Sequence, residues 1–329
     1  MTPPRALASR APLHFVLNGA AGNQDDDAVL AALEQVLGAA GRAYEMHRAL
    51  KPSALADTAW AAAERAGSEG VVVAVGGDGT INTVASVLLG SRVVLGLVPR
   101  GTFNYVARTH GIPLEPAAAL RLLLNGRAHA VQVGQLNGHP FLVNASLGLY
   151  PLLLQDREAF KKRFGRTRLV AMWAALRSMM RVHPRLALHI QADGQAPRQL
   201  KVSTLFVGNN PLQIEALGLP EAEQVGRTTL AALALRAFKP GELLWLALRG
   251  ALGRLGEAPD LTHFNCRQLS VRPRLPLQRR LKVALDGEVM RLPPPLEFGV
   301  DTRALWLIKP DADETPAVAT SARAERAAS

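Results

Sequence analysis

Two short stretches of the chain place carboxylates beside glycines. The first is Gly76-Gly77-Asp78-Gly79-Thr80, which follows the apolar run Val71 to Val75. Small residues let backbone amides approach a phosphate, and the positive end of a following helix dipole favours its charge. A carboxylate beside a phosphate repels it unless a cation lies between them, so Asp78 is predicted to face Mg²⁺, directly or through water. An ordinary strand-to-helix turn is the alternative, and it is the commoner role of a lone Gly-Asp-Gly.

The second stretch is Asp286-Gly287-Glu288, at the end of the apolar run Leu281 to Leu285. A strand that ends in Asp-Gly makes a turn, and Glu288 then emerges two residues after Asp286. An ordinary hairpin turn explains Asp-Gly alone. A carboxylate that emerges from such a turn can also accept a proton as a general base.

Two further turns of small residues follow apolar runs. Asn18-Gly-Ala-Ala-Gly22 comes after His14 to Leu17, and Gly101-Thr102-Phe103-Asn104 comes after Val93 to Pro99. Thr102 and Asn104 present a hydroxyl and an amide, although in an isolated Gly-Thr-x-Asn both would be turn residues by default. Thr80 is predicted to cap a helix over Ile81 to Leu89.

The elements that must position these turns change character near residue 128. Before it, apolar strands alternate with helical spacing, which predicts a parallel α/β sheet with its ligands at the carboxyl ends of the strands. From Ala128 onward, short alternating segments predict an antiparallel β-sandwich or barrel. We therefore predict a nucleotide-binding domain over residues 1–127 with a flexible start at 1–12, a β-rich domain over 128–310 and a disordered tail at 311–329.

Composition limits the class of protein and its partners. The 329 residues carry a net charge of +11, contain one cysteine and include no apolar run long enough to span a bilayer. The start of the chain lacks an apolar signal region, and a single cysteine, Cys266, cannot form an internal disulfide. We therefore expect a cytoplasmic protein. The charge implies a nucleotide, a nucleic acid or an anionic membrane as partner, and the 5% of aromatic residues makes nucleic acid the weakest of the three.

A basic stretch between Asp156 and Arg185 has nine Arg and Lys residues against two acidic ones, with aromatic residues interspersed. Most runs of charge are solvated helix faces, and that alternative stays open. Each basic residue near an anionic bilayer contributes about 1 kcal/mol. We therefore favour a peripheral surface on the inner face of the membrane.

The glycine turns resemble those of a known family. Gly76 to Thr80 resembles the nucleotide motif of the diacylglycerol and sphingosine kinase family, of NAD kinases and, more distantly, of phosphofructokinases. Asn18 to Gly22 resembles the family's Asn-Pro-x-Ser/Ala-Gly phosphate loop, with Gly19 where proline is usual. Gly101 to Asn104 resembles the Gly-Thr-x-Asn-Asp motif that separates lipid kinases from NAD kinases, with Tyr105 where the Asp after the Asn is usual.

This resemblance implies a phosphofructokinase-like and NAD kinase-like α/β domain followed by a β-sandwich, and an ATP-dependent lipid kinase that phosphorylates diacylglycerol or a similar lipid hydroxyl. It implies that Glu288 is the catalytic base and that Asp78 positions Mg²⁺. The residues implied to bind ATP are Asn18, Gly22, Gly76, Gly77, Gly79, Thr80, Gly101, Thr102 and Asn104. Val225 stands where some bacterial members carry an Asp that holds a structural Mg²⁺, so a second ion is not predicted.

Three alternatives remain at this point. An NAD kinase shares the first motif, and a non-catalytic nucleotide-binding protein at the membrane is suggested by the departures at Gly19, Tyr105 and Val225. An α/β-hydrolase is a distant third, because Asn144-Ala-Ser146-Leu-Gly148 lacks the first glycine of a nucleophile elbow. Neither the lipid substrate nor the oligomeric state follows from the sequence.

Overall fold

The computed structural model describes Arg5 and residues 12–19, 24–148, 186–226, 228–236, 261–274 and 280–311. The chain forms two compact units. The first contains Met1–Val131 and Leu305–Ser329, and the second contains Gln132–Ala304. The basic stretch between Asp156 and Arg185 and the predicted tail after residue 311 lie outside the described residues.

The first unit is built on a six-stranded sheet with the order β2-β1-β3-β4-β17-β5. The strands are β1 Leu13–Asn18, β2 Tyr44–Ala49, β3 Val71–Gly76, β4 Val94–Pro99, β5 Arg127–Val131 and β17 Leu305–Lys309. The helices are α1 Gln24–Leu33, α2 Leu55–Ala66, α3 Asp78–Leu88, α4 Tyr105–Thr109 and α5 Pro116–Asn125. All neighbouring strands pair in parallel except β5 with β17. The predicted parallel α/β sheet is therefore confirmed.

The central strands of this sheet are apolar on both faces. Every residue of β3 and β4 is buried, as expected for parallel strands that helices cover on either side. Leu13, Phe15 and Leu17 of β1 pack in one core with residues of β3, α1 and α5. Since successive side chains alternate between the two faces of a strand, His14 and Val16 point to the opposite face.

The described residues of the second unit form an antiparallel network of eleven strands with one short helix, α6 Pro211–Ala216. Its strands are β6 Gly134–Leu136, β7 His139–Phe141, β8 Asn144–Gly148, β9 Leu186–Ala192, β10 Arg198–Gly208, β11 Leu230–Arg236, β12 Leu261–Cys266, β13 Gln268–Pro273, β14 Leu281–Leu285, β15 Glu288–Leu292 and β16 Leu296–Val300. Alternate residues of these strands form one apolar core. The predicted change from an α/β to a β-rich class is confirmed.

The division between the units differs from the predicted boundary at residue 127. Strand β5, read from the sequence as the start of the second domain, and β17, near its predicted end, both lie in the first sheet. Arg5, within the predicted flexible start, forms two backbone hydrogen bonds with Ala128, and its guanidinium lies over the ring of Trp306. Sequence spacing does not reveal these pairings, because they join residues far apart in the chain.

Candidate active site

The turns that follow β3 and β4 lie directly against each other. A Cβ atom on Gly77 would come within 3.2 Å of Gly101 Cα, and one on Gly101 would come within 2.9 Å of Gly77 Cα. The backbone N–H of Arg100 donates to the carbonyl of Gly76 at 2.8 Å, which extends the pairing of the two strands into the turns. Glycine is required here by this close approach of two backbones.

Helix α3 begins at Asp78, with Gly77 as its N-cap, and no side chain caps it. The prediction that Thr80 caps a helix starting at Ile81 is therefore wrong. Thr80 lies buried in the first turn, where its Oγ1 accepts a hydrogen bond from Asn18 Nδ2 at 3.3 Å. The first amides of a helix have no partner within the helix, so this uncapped end presents N–H groups and a positive dipole.

Asp78 connects the two turns. Its Oδ1 accepts a hydrogen bond from the backbone N–H of Val106, in the first turn of α4, at 3.1 Å. The other oxygen, Oδ2, makes none of the hydrogen bonds found among the described residues. The carboxylate is half-buried, and Gly79 beside it is exposed, with no atom within 4 Å of the place a Cβ would take. A hard oxygen ligand at an open edge suits Mg²⁺, which binds proteins through one or two carboxylates and keeps several waters.

Asn104 shapes the second turn from inside. Its side-chain amide donates to the carbonyl of Gly101 and its Oδ1 accepts from the N–H of Gly101, both at 2.8 Å. Its backbone adopts the left-handed conformation, with φ of 50°, directly before α4. Because both ends of the amide are occupied within the turn, Asn104 contributes to a phosphate site by holding the backbone in place.

The outer side of the same turn is aromatic. Phe103 is 56% exposed, and its ring stacks on that of Tyr105 with centroids 5.6 Å apart and planes 10° from parallel. Thr102 is exposed beside it, as is Arg108, whereas Arg100 is half-buried. Gly22 of the first predicted loop lies outside the described residues, and Asn18 ends β1.

His110 follows α4 at the end of this segment. Burial, with a smaller effect of Lys309, lowers the pKa of His110 to about 4. The ring is therefore neutral near pH 7. It adds no positive charge to this part of the first unit.

The second predicted carboxylate turn lies in the second unit. Asp286 and Gly287 both have positive φ, 45° and 92°, which makes a two-residue hairpin turn between β14 and β15. The Asp286 carboxylate accepts hydrogen bonds from the backbone N–H groups of Leu142, Val143 and Asn144 at 2.7 to 2.9 Å. The turn places Glu288, the first residue of β15, with its side chain exposed.

The threefold anchoring of Asp286 is a role that the sequence did not reveal. Asp-Gly is favoured in such turns for conformation alone, and the three donors lie more than 140 residues earlier in the chain. The Asp-Gly pair after a buried strand is the one signal that marks the turn. No sequence feature identifies the segment to which it is bound.

Three other residues singled out in the sequence lie at buried positions of the second unit. Ser146 is fully buried within the antiparallel strand β8, so it is not a nucleophile at a strand-to-helix turn. Val225 packs in an apolar cluster with Ile214 and Leu219. Cys266 is buried in the core, which raises the pKa of its thiol to about 12 and leaves it a filler.

Among the described residues, no helix combines the length and apolar character needed to cross a bilayer.

Comparisons with known proteins agree with this geometry. The family model described as "Diacylglycerol kinase catalytic domain" matches residues 12–136, which include the turns after β1, β3 and β4. Two curated relatives named "Probable lipid kinase YegS-like", from Yersinia pestis (strain Pestoides F) and Yersinia pseudotuberculosis serotype O:1b (strain IP 31758), are 43% identical over 81 residues. The matched stretch is 23% of this chain and 27% of each relative, so it spans about a quarter of their length.

Solved structures share the fold over nearly the whole chain. A crystal structure of a proposed diacylglycerol kinase from Bacillus anthracis str. Sterne has a TM-score of 0.70 at 20% identity, over 92% of this chain and 98% of that one. An NAD kinase from Archaeoglobus fulgidus in complex with ATP has a TM-score of 0.50 at 11% identity, over 95% and 98%. At these identities the similarity concerns the fold alone.

The glycine turns and the matched segment thus agree with the resemblance noted in the sequence: residues 12–136 of the chain are similar to the diacylglycerol kinase catalytic domain.

Proposed function

We propose that the protein is a lipid kinase that transfers the γ-phosphate of ATP to the hydroxyl of diacylglycerol or a similar lipid. The observation that carries this proposal is the close contact between Gly77 and Gly101. Asp78 reinforces it by accepting a hydrogen bond from the backbone N–H of Val106, which follows the second turn. Two backbones in contact at the carboxyl ends of neighbouring parallel strands, beside an uncapped helix, form a surface suited to a polyphosphate.

In this mechanism the first unit binds the nucleotide. The uncapped start of α3 and the turn from Gly101 to Asn104 hold phosphate oxygens, while Thr80 and Asn18 support the turn from behind. Asp78 would hold Mg²⁺, because its Oδ1 accepts from the Val106 amide and its other carboxylate oxygen stays available as a ligand. The metal, when bound, neutralises charge on the phosphate oxygens as the phosphoryl group is transferred.

Glu288 supplies the base. Its exposed carboxylate accepts the proton of the lipid hydroxyl as that oxygen attacks the γ-phosphate. Asp286 positions Glu288, because its three backbone hydrogen bonds fix the hairpin from which Glu288 extends. Arg100, directly before the second turn, and Arg108 of α4 are candidates for stabilising the transferred charge.

The lipid acceptor is supported by the second glycine turn and by the names of the relatives. The Gly101-Thr-x-Asn104 turn distinguishes the resemblance to lipid kinases from that to NAD kinases, and the Yersinia relatives are named lipid kinases. Phosphorylation of a membrane lipid would give the protein a role in phospholipid metabolism. Diacylglycerol is the class of substrate that the name of the family supports.

The direct test is incubation of the full chain with γ-labelled ATP, Mg²⁺ and a total lipid extract, followed by chromatography of the lipids. We expect a labelled phospholipid that disappears when Mg²⁺ is chelated. Label on NAD added in a parallel reaction, with none on lipid, would establish the NAD kinase instead. ATP binding with no transfer to either acceptor would support a non-catalytic nucleotide-binding protein.

We also propose that the protein associates peripherally with anionic membrane. The support is the net charge of +11 and the basic stretch between Asp156 and Arg185. Co-sedimentation with vesicles should increase with the fraction of anionic lipid and fall as salt is raised. Binding that is independent of both would contradict the proposal.

A further inference from the structure

The edge of the first sheet carries a cluster of two imidazoles and a carboxylate. In the parallel register of β1 and β2, His14 lies beside Glu45 and Val16 lies beside His47. His14 Nδ1 is 3.2 Å from His47 Nε2, and Glu45 Oε2 is 3.7 Å from the first nitrogen and 3.8 Å from the second. The cluster lies outside the turns assigned to the nucleotide.

His14 is an unusual residue for its position. It is 1% exposed in a strand whose other residues from Leu13 to Leu17 are apolar and buried. Buried polar side chains are nearly always bonded, and here the bonded ring nitrogen is Nδ1, which faces His47 and Glu45. The buried imidazole thus directs its polar side toward the other two members of the cluster.

The distances suit a metal with short bonds to nitrogen and oxygen. Two ligand atoms about 2.0–2.1 Å from a tetrahedral zinc ion lie roughly 3.3–3.4 Å from each other. The separation of the two nitrogens is within about 0.2 Å of that value, and the carboxylate oxygen needs to move only a few tenths of an ångström toward them.

The residues around the cluster also keep its three side chains in a state suited to binding a metal. Burial is the main cause that lowers the pKa of both His14 and His47, so both rings are neutral and able to donate a lone pair near pH 7. Arg65 of α2 donates to both oxygens of Glu45, at 2.7 and 3.2 Å, and so holds the carboxylate in orientation. Glu45 is 40% exposed, which leaves a path for an ion and for a water as fourth ligand.

We propose that His14 Nδ1, His47 Nε2 and Glu45 Oε2 bind one Zn²⁺ ion, with water completing the tetrahedron. Two imidazoles with one carboxylate are a ligand set that zinc accepts, whereas Mg²⁺ and Ca²⁺ prefer oxygen alone. The positive charge of Arg65 weakens the site, as does the His14 Nε2 proton, which metal binding would leave buried without a partner among the described residues.

The position of the cluster assigns the ion a structural role. His14 lies four residues before Asn18 on β1, about 13 Å along the strand from the predicted phosphate turn. An ion at the cluster would join β2, the edge strand, to β1. It would therefore stabilise the sheet edge without taking part in phosphoryl transfer.

Titration of the metal-free full-length chain with Co²⁺ alone, followed by visible absorption, tests this proposal. Four-coordinate Co²⁺ absorbs far more strongly than the hydrated ion, so we expect an intense band that saturates at one equivalent and is displaced by one equivalent of Zn²⁺. A wild-type titration that shows no such band, or saturates only at several equivalents, would overturn the proposal.

Variants identify the ligands. His47→Gln and Glu45→Gln should each weaken Co²⁺ affinity at least tenfold, since loss of even an outer-shell partner typically costs 10–100-fold. His139→Gln, at an exposed histidine of the second unit, is the matched control and should bind as wild type does. Equal affinity in His47→Gln and wild type would place the ion elsewhere. Far-UV circular dichroism verifies that each variant folds. If either His47→Gln or Glu45→Gln does not fold, the Co²⁺ affinity of the remaining variant, compared with that of the wild type, tests the ligand assignment.

Discussion

The chain has three Asp-Gly pairs, and two of them, Asp78-Gly79 after β3 and Asp286-Gly287 after β14, lie at strand ends whose glycines have different physical roles. In the first unit, Gly77 and Gly101 are needed because two backbones touch, and neither has positive φ. In the second unit, Gly287 is needed because φ is 92°, and the space around it is open. The same residue type thus provides close approach in one turn and a left-handed conformation in the other.

The two aspartates differ in the same way. Asp78 accepts one backbone amide through Oδ1, whereas Asp286 accepts three and uses both oxygens. A carboxylate with an oxygen to spare can hold a cation, while one that is fully engaged serves to fix a loop. The difference teaches that an Asp-Gly pair shows its function only through the partners that the fold brings to it.

The largest expected effect concerns the glutamate beside the second turn. Glu288→Gln should lower kcat by about 10²–10⁴-fold, because it removes the proton acceptor and leaves the shape of the side chain. Labelled transfer from ATP to lipid measures the change. Glu223→Gln, another exposed carboxylate of the same unit, should retain wild-type turnover. A loss of less than about tenfold in Glu288→Gln would remove Glu288 from the role of base.

The anchoring of the two turns can be compared directly through stability. Asp286→Ala leaves three backbone N–H groups without their acceptor and should lower the free energy of unfolding by about 3 kcal/mol or more. Asp78→Ala loses one such bond and should cost roughly 1 kcal/mol. Urea denaturation of both variants measures the difference. Equal costs would show that the second turn is no more firmly held than the first.

The close approach in the first unit predicts a third effect. Gly101→Ala would bring a Cβ within 2.7 Å of Asn104 Oδ1 and 2.9 Å of Gly77 Cα, so the two turns must separate. We expect a loss of about 1–3 kcal/mol in stability and a marked weakening of ATP binding, measured by calorimetry. Unchanged ATP affinity would mean that the contact between the turns does not shape the phosphate site.

The first unit should also be the more sensitive to acid. His110 has a folded-state pKa of about 4, below its unfolded value near 6.5, so the unfolded state binds more protons between these limits. Stability is therefore retained above pH 6.5 and lost as the pH falls toward 4, by up to about 2 kcal/mol once partial exposure is allowed for.

Hydrogen exchange resolved to peptides should show this loss in the first unit, and His110→Gln should reduce it. Exchange that rises equally in both units as the pH falls would contradict this assignment.

The smallest expected effect is a gain in stability at Gly79. Gly79 lies in the first turn of α3, is exposed and has no atom within 4 Å of its Cβ position. Gly79→Ala should therefore raise the free energy of unfolding by about 0.5–1 kcal/mol, because alanine is the better helix former. Thermal unfolding measures this gain. A destabilised variant would show that the space above the turn is not open.

Much of the fold was predictable because it rests on local pattern. The apolar runs of β3 and β4, and the alternation of strand and helix before them, predict a parallel sheet with small-residue turns at its carboxyl edge, as found. Long-range pairing was not predictable. The contact of Gly77 with Gly101, the return of β17 to the first sheet and the anchoring of Asp286 each join segments that sequence spacing does not relate.

The site was predictable in its residue types and less so in their roles. Asp78, Thr80 and Asn104 were all identified from the motifs, yet Thr80 does not cap α3 and Asn104 closes on its own turn. A short polar side chain can hydrogen-bond either to a ligand or to the backbone of its own turn, and the surrounding sequence is the same in both cases. Residue spacing therefore does not decide between these two roles.

The placement of β17 has a consequence for how the protein is made. This strand lies between β4 and β5, and it is synthesised only after the entire second unit. As the chain emerges from the ribosome, the six-stranded sheet cannot be completed until residues 305–309 are released. A fragment that stops at residue 131 would leave facing edges of β4 and β5 unfilled, so we expect it to aggregate rather than to fold as an isolated nucleotide-binding domain.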